Sequence, residues 1–186
     1  MKKVSLGGLL TILGLLTTPV YAAQILYDLT SLGGDQYRYT YTVTNNGSTG
    51  GAVELFDIFF DPSVYDETSL TIVTPDPPAS GWDQLILGSG IALPAAYDSL
   101  SLSGGIPTLA TESGFAVEFR WLSEGTPGTQ DFAIYDPVTF AVLESGTTTV
   151  VPVPTALPLF AGALVSLLGI RASARGDKRN RQISGI

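Results

Sequence analysis

Residues 36–44, Gln36-Tyr37-Arg38-Tyr39-Thr40-Tyr41-Thr42-Val43-Thr44, alternate without a break. Tyr37, Tyr39, Tyr41 and Val43 fall on one face, and Arg38, Thr40, Thr42 and Thr44 on the other, which is the period of a half-buried strand. The tyrosine face has more apolar area to hide, so it is predicted to point inward with Thr40 and Thr42 exposed. Gly33-Gly34 precedes this run, which predicts a hairpin with Gln24–Ser31. Asn45-Asn46-Gly47 marks a turn where positive φ is cheap. Val53–Phe60 reads as a further strand, closed by Asp61-Pro62. Phe115-Ala116-Val117-Glu118-Phe119-Arg120-Trp121 alternates again, with Phe115, Val117, Phe119 and Trp121 predicted inward. Thr126-Pro127-Gly128-Thr129 suits a turn. Asp131–Tyr135 and Thr139–Leu143 predict a hairpin around Asp136-Pro137, and Thr74-Pro75-Asp76-Pro77-Pro78 predicts a loop. Glu144-Ser145-Gly146-Thr147-Thr148-Thr149 reads as a short tether. Between residues 23 and 149 there is no long helical period. Short strands with Gly and Pro turns predict an all-β domain, an antiparallel β-sandwich of jelly-roll or immunoglobulin-like type.

Both ends break this pattern. Met1-Lys2-Lys3 is followed by a largely apolar run from Val4 to Leu16, then Thr17-Thr18-Pro19-Val20-Tyr21-Ala22. A positive start, an apolar stretch and small residues at the −3 and −1 positions predict a secretory signal peptide over residues 1–22, with the site set by Val20 and Ala22 and the mature chain starting at Ala23. The rival is an uncleaved membrane anchor, against which the Pro and the Val-x-Ala site argue. At the other end, Val153–Ile170 holds 18 residues without a charge. As a helix that length is about 27 Å, just enough to span the hydrocarbon core. Arg171, Arg175, Lys178, Arg179 and Arg181 follow, with Asp177 the only acid among them. A single transmembrane helix with a basic stop on the cytoplasmic side is the expectation. Five cations directly after an all-round apolar segment make a buried core helix the poorer reading.

Charge separates these parts further. The whole chain carries a formal −8, yet residues 23–150 hold 16 acids against Arg38 and Arg120 alone. An acidic body leaves no basic patch for nucleic acid. There is no Cys and no His, which removes disulfides, Cys/His metal sites and any mechanism using a thiol or imidazole. A Ser–His triad is therefore impossible, and no phosphate loop, dinucleotide fingerprint or Gly-x-Ser-x-Gly elbow occurs. Carboxylates close in sequence, Asp57 with Asp61 and Asp66 with Glu67, could serve a hydrolase only if they faced each other across a cleft. Solvated surface charge is the default for them. No EF-hand-like run supports a metal, and no cofactor is expected. The tyrosine row with Trp121 could form a sugar-stacking platform, but aromatics at period two on a strand more often pack in a core. Exposure of Tyr37 or Trp82 would favour a carbohydrate-binding module. Asn46-Gly47-Ser48 matches a glycosylation acceptor, a pattern common by chance.

With both ends read, the C-terminus resembles a PEP-CTERM-type sorting signal of the Val-Pro-Leu-Pro-Ala variant. Here the motif stands as Val151-Pro152-Val153-Pro154-Thr155, followed by Ala156-Leu157-Pro158-Leu159-Phe160-Ala161-Gly162-Ala163-Leu164 and the basic stop. Val153 replaces Leu and Thr155 replaces Ala. The body is similar to β-rich domains of such proteins through Tyr39-x-Tyr41-x-Val43-x-Asn45 and Gly125-Thr126-Pro127-Gly128-x-Gln130-x-Phe132. The resemblance implies a Gram-negative exported protein, recognised by an exosortase, a membrane processing enzyme that cuts at the motif. The protein would pause in the inner membrane and then reach the cell surface or an extracellular matrix rich in polysaccharide. It would be a substrate of that pathway, structural or adhesive in biofilm, and not an enzyme. A carbohydrate-binding module and a hydrolase using paired carboxylates are the rival expectations.

Overall fold

The structure, a computed structural model, describes residues 23–90 and 93–152. Val20 and Ala22 of the expected signal peptide, Val153, Pro154 and Thr155 of the expected sorting motif, the apolar segment after them, and Arg171, Arg175, Lys178, Arg179 and Arg181 lie outside the described residues.

Among the described residues ten strands form: β1 Gln24–Gly33, β2 Gln36–Thr44, β3 Leu55–Phe60, β4 Tyr65–Ile72, β5 Trp82–Leu87, β6 Ala95–Ser101, β7 Thr111–Trp121, β8 Asp131–Tyr135, β9 Val142–Thr147 and β10 Thr149–Val150. They make two five-stranded sheets, ordered β10-β1-β2-β7-β4 and β5-β6-β3-β8-β9. Every pairing is antiparallel except β1 with β10, which is parallel. The chain stays within a sheet at β1–β2, β5–β6 and β8–β9 and changes sheet at each other connection. Sheets of five and five, joined by repeated crossovers, match the double-sheet jelly-roll expectation better than the immunoglobulin arrangement.

The predicted first hairpin forms in register, with Ile25 opposite Val43, Tyr27 opposite Tyr41 and Leu29 opposite Tyr39. Tyr39, Tyr41 and Val43 are fully buried, as the alternation requires. Tyr37 is half-buried at the end of the row, and Thr40 and Thr42 are half-buried where exposure was expected, because neighbouring strands cover them on both sides. On β7, Phe115, Val117 and Phe119 are buried and Trp121 is half-buried. The two inner faces meet through aromatic edges. Phe56 on β3 lies 5.1 Å from Phe115 on β7, and Trp82 on β5 lies 5.2 Å from the same ring. Such edge-to-face pairs add about 0.5–1.5 kcal/mol each beyond area burial. They help a domain without disulfides hold its sheets together.

Two glycines answer specific geometric demands. Gly114 has φ +104 at the bulge where β7 slips against β2, between the pairs Tyr41 with Phe115 and Thr42 with Ser113. Gly105 passes so close to β3's approach that a Cβ there would sit 2.3 Å from the Val53 carbonyl oxygen.

Several expectations are corrected. Thr126–Thr129 is not a turn: the chain bends at Ser123–Gly125 and then runs irregularly to Gln130. The reason is that Gly128 supplies its carbonyl to the Tyr39 hydroxyl at 2.7 Å, which draws the segment over the end of the sandwich. The last hairpin exists, but its second strand begins at Val142. The supposed tether is structured: Glu144–Thr147 belongs to β9, and Thr149–Val150 pairs with Leu26 and Tyr27 of β1. Edge-strand pairing through the backbone leaves little trace in side-chain pattern, which is why a polar Ser-Gly-Thr run looked like linker. Val150 therefore belongs to the folded body, which closes there.

Candidate functional site

Three places on the body carry the residues singled out above. The first is the C-terminal exit. β10 ends at Val150, and Val151 and Pro152 follow at once, exposed and outside any strand. Pro152 has no N–H to give to a ladder, so the pairing with β1 cannot continue through it.

The second is the buried polar lock behind that exit. Gln130 is 3% exposed and Thr148 is fully buried. The Gln130 backbone N–H donates to Thr148 Oγ1 at 2.9 Å, Thr148 Oγ1 donates to Gln130 Oε1 at 3.1 Å, and the Thr148 N–H donates to the Gln130 carbonyl at 2.8 Å. Gln130 Nε2 in turn donates to the Tyr65 hydroxyl at 3.1 Å and to the Gly128 carbonyl, while the Tyr39 and Tyr65 hydroxyls lie 3.1 Å apart. Burial pushes the Tyr39 and Tyr41 hydroxyls far above the usual phenol range, so they stay neutral donors. Asn45 makes a similar lock at the other end: Nδ2 donates to the Gly51 and Ile106 carbonyls at 2.8 and 2.9 Å, and Oδ1 accepts from the Gly47 N–H. Asn45, Gly128 and Gln130 are thus structural. Their roles were hidden from sequence, which identifies Asn45 only as a turn residue.

The third place is the outer face of the β5-β6-β3-β8-β9 sheet. Cross-strand register lays out one row as Leu85, Asp98, Asp57, Ala133 and Ser145, and the next as Asp83, Leu100, Leu55, Tyr135 and Val142. Asp57 therefore faces Asp98, not Asp61, which lies beyond the end of β3. Asp66 and Glu67, the other pair adjacent in sequence, lie side by side on β4. Asp57 is pushed up to about 7, first by burial, then by the hydrogen bond and the charge of Asp98; Asp98 is raised as well, mainly by burial. Asp57 Oδ1 is buried with no donor. The Tyr135 hydroxyl bonds to the Asp57 carboxyl and works the other way, without offsetting the burial and the neighbouring acid. Glycoside hydrolysis needs acids about 5–9.5 Å apart across the scissile bond. Two carboxyls within hydrogen-bond reach of each other do not meet that need. They floor a shallow depression of about 280 Å³ walled by Leu55, Leu87, Tyr135 and Phe140.

Phe140 is placed there under strain. Its φ is +56, uncommon for a bulky residue, and the residue is 69% exposed. Asp136 fixes the turn that holds it: Oδ1 accepts from the Val138 and Thr139 N–H groups at 3.0 and 2.7 Å, and its carbonyl accepts from the Phe140 N–H at 2.9 Å. The same bonds hold the Asp136 carboxyl below its ordinary range. Leu85, Leu87 and Val142 add exposed apolar surface around it.

The aromatic row offers no open platform. Trp82 is 4% exposed with its indole N–H on Glu112 at 3.1 Å, and Tyr37 stacks on Phe119 with centroids 6.0 Å apart. Among the described residues no group of three or more acids is gathered as a metal site would require. Among them, too, no helix is long and apolar enough to cross a membrane.

No family model and no curated protein matches the chain. Solved structures do. A type I cohesin of Clostridium thermocellum, solved as a cohesin–dockerin complex, is 14% identical, covering 69% of this chain and 99% of that one at a TM-score of 0.32. The seventh ScaB type I cohesin of Pseudobacteroides cellulosolvens is also 14% identical, covering 71% and 96% at 0.32. CaCohA2 of Clostridium acetobutylicum is 14% identical, covering 68% and 90% at 0.30. At this identity and these TM-scores the likeness transfers neither ligand nor activity to this chain.

Proposed function

We propose that this chain is an exported, non-enzymatic surface or matrix protein, sorted by an exosortase-type membrane enzyme that reads Val151 to Thr155. The observation that supports the reading is the abrupt exit from the fold. The compact body ends at Val150, and the motif begins on the next residue with exposed Val151 and Pro152. A processing enzyme embedded in the membrane needs an extended, accessible segment, and two prolines keep this one out of the adjoining sheet. The uncharged run from Val153 to Ile170 and the cations from Arg171 to Arg181 fit a segment parked in the membrane until it is cut.

The adhesive half of the reading falls on the outer face of the β5-β6-β3-β8-β9 sheet, where exposed aliphatic and aromatic side chains surround half-buried carboxyls. Contiguous apolar surface of this kind marks interaction sites. Extracellular polysaccharide is the weaker partner, since neither Tyr37 nor Trp82 presents a free ring.

Fusing residues 147–186 to an unrelated exported reporter in a host with its own exosortase tests the sorting reading. The wild-type fusion loses its tail and reaches the outside. Pro152→Ala with Pro154→Ala leaves it unprocessed in the inner membrane, and deleting Arg171 to Arg181 weakens retention before processing. Equal processing with and without the motif would reduce the tail to a plain anchor.

A further inference from the structure

The residue expected to begin the mature chain sits at a hydrogen-bond junction that is one donor short. Ala23 is 4% exposed and packs in the core with Ile25 and Tyr27. Its backbone nitrogen donates to Ser48 Oγ at 3.0 Å, and Ser48 Oγ donates to Glu144 Oε2 at 2.6 Å. The other oxygen of that carboxylate, Oε1, is buried and has no hydrogen-bond partner. Ala23 leads into β1 of one sheet, Ser48 lies in the β2–β3 loop, and Glu144 belongs to β9 of the other sheet. The junction therefore ties the two sheets together at the start of the fold.

As an internal residue, Ala23 has one N–H, and Ser48 already takes it. Arg38 and Arg120, the cations among the described residues, pair with Glu118 and with Asp35 and Asp66. Neither of these pairings involves Glu144. Its Oε1 lacks a donor at a junction that opens on the nitrogen directly following Val20-Tyr21-Ala22. We propose that the missing partner is the α-ammonium made when the leader is cut after Ala22, so that processing fastens β1 to β9 through Ser48 and Glu144. Hydrolysis of the Ala22–Ala23 bond consumes one water. Ala22 leaves as a carboxylate, and Ala23 keeps an amine that takes up a proton near neutral pH, since a free α-amine titrates at about 8. The single N–H becomes three donors carrying a positive charge, linked through Ser48 to a carboxylate with a buried oxygen left over. Charge-assisted hydrogen bonds are the strong ones. The leader would then do more than address the chain, because its removal completes the body. This inference rests on the signal-peptide reading and goes beyond it.

The test uses the full chain exported by a processing host. Sequencing gives its first residue, and its unfolding is followed before and after selective acetylation of the α-amine. A chain starting at Ala23 has Lys178 as its only lysine, so the α-amine is chemically distinct and mass spectrometry can confirm its modification. Acetylation restores a single N–H and removes the charge. It is expected to lower Tm by about 2–6 °C in the wild type and to change little in Glu144→Gln. Ser48→Ala, a loop substitution, serves as the second variant should Glu144→Gln fail to fold. No fall in the wild type, or an equal fall in wild type and variant, would overturn the proposal. A first residue other than Ala23 would remove the leader reading and the proposal with it.

Discussion

On the outer face of the β10-β1-β2-β7-β4 sheet each base stands opposite an acid. Arg38 is the cross-strand partner of Glu118, and Arg120 that of Asp66. Their ion pairs are made, with Arg38 Nε at 3.0 Å from Glu118 Oε1 and Arg120 reaching Asp66 at 3.3 Å. Thr40 and Thr42 continue the row along β2 beyond Arg38. On the outer face of the other sheet, Asp57 stands opposite Asp98, and aliphatic side chains stand opposite acids. The first face answers each of its bases with an acid and offers water a polar surface. The second leaves apolar groups exposed and sets two carboxyls against each other, both raised above their ordinary range by burial first. The pleat is the same on both faces. What differs is whether cross-strand partners satisfy each other or wait for something outside, and that is why the adhesive role is assigned to the second face.

The largest effect should come from the layer both faces stand on. Phe56→Ala removes a ring that touches Trp82, Tyr97 and Phe115. A cost of about 3–5 kcal/mol in denaturant unfolding is expected. A loss confined to one sheet would mean that the two do not share a core.

Next comes the carboxyl pair. In the unfolded chain Asp57 titrates at about 3.9, and in the fold it is pushed up to about 7. Between these values the folded state binds the extra proton, so the stability this pair confers is fully present below pH ~4 and is lost as pH rises towards 7. Asp57→Asn keeps the shape of the protonated acid. It should stabilise by about 1–2 kcal/mol at pH 8, after discounting for solvent screening, and by almost nothing at pH 4. Thermal unfolding of both proteins across that range checks it; a gain that does not depend on pH would show that Asp57 binds no extra proton.

A smaller gain is expected from Phe140→Gly, which relieves the positive φ and should raise stability by about 0.5–1 kcal/mol. If the strained ring serves adhesion, the same change weakens retention of the released body on host cells. Unchanged retention would separate Phe140 from the binding surface.

The smallest effect belongs to the ion-paired face. Arg38→Ala breaks a partly exposed pair and should cost no more than about 1 kcal/mol, shrinking further at high salt. Retention on cells should not change. A larger effect on adhesion than Phe140→Gly would reverse the assignment of the two faces.

Reading the chain alone reached the strands whose alternation is strict. β2 and β7 were legible because Tyr, Val and Phe recur at every second position and bury on one side, β3 as an apolar run closed by Asp61-Pro62, and β1 and β8 through the turns beside them. β5 and β6 were not, since Asp83, Leu85 and Leu87 share an outer face and Ala95, Ala96 and Tyr97 are all buried, which erases the period. β9 was placed too early, over Thr139–Leu143, and its Glu144–Thr147 part and β10 were read as tether, because edge strands are held by backbone ladders that composition does not record.

The sequence by itself determined the β class, the inward tyrosine row, the acidic body, and two ends of a different character, an apolar run after Met1-Lys2-Lys3 and an uncharged run before a cluster of cations. Each is a property of neighbours along the chain: a period of two, a run without charge, a cluster of cations. Only the tertiary structure decided which residues meet across distance. It brought Asp57 to Asp98 rather than Asp61, Gln130 to Thr148 and Tyr65, and Ala23 to Ser48 and Glu144. Strand order sets these meetings, and strand order depends on how two hydrophobic faces pack together, which no local pattern encodes.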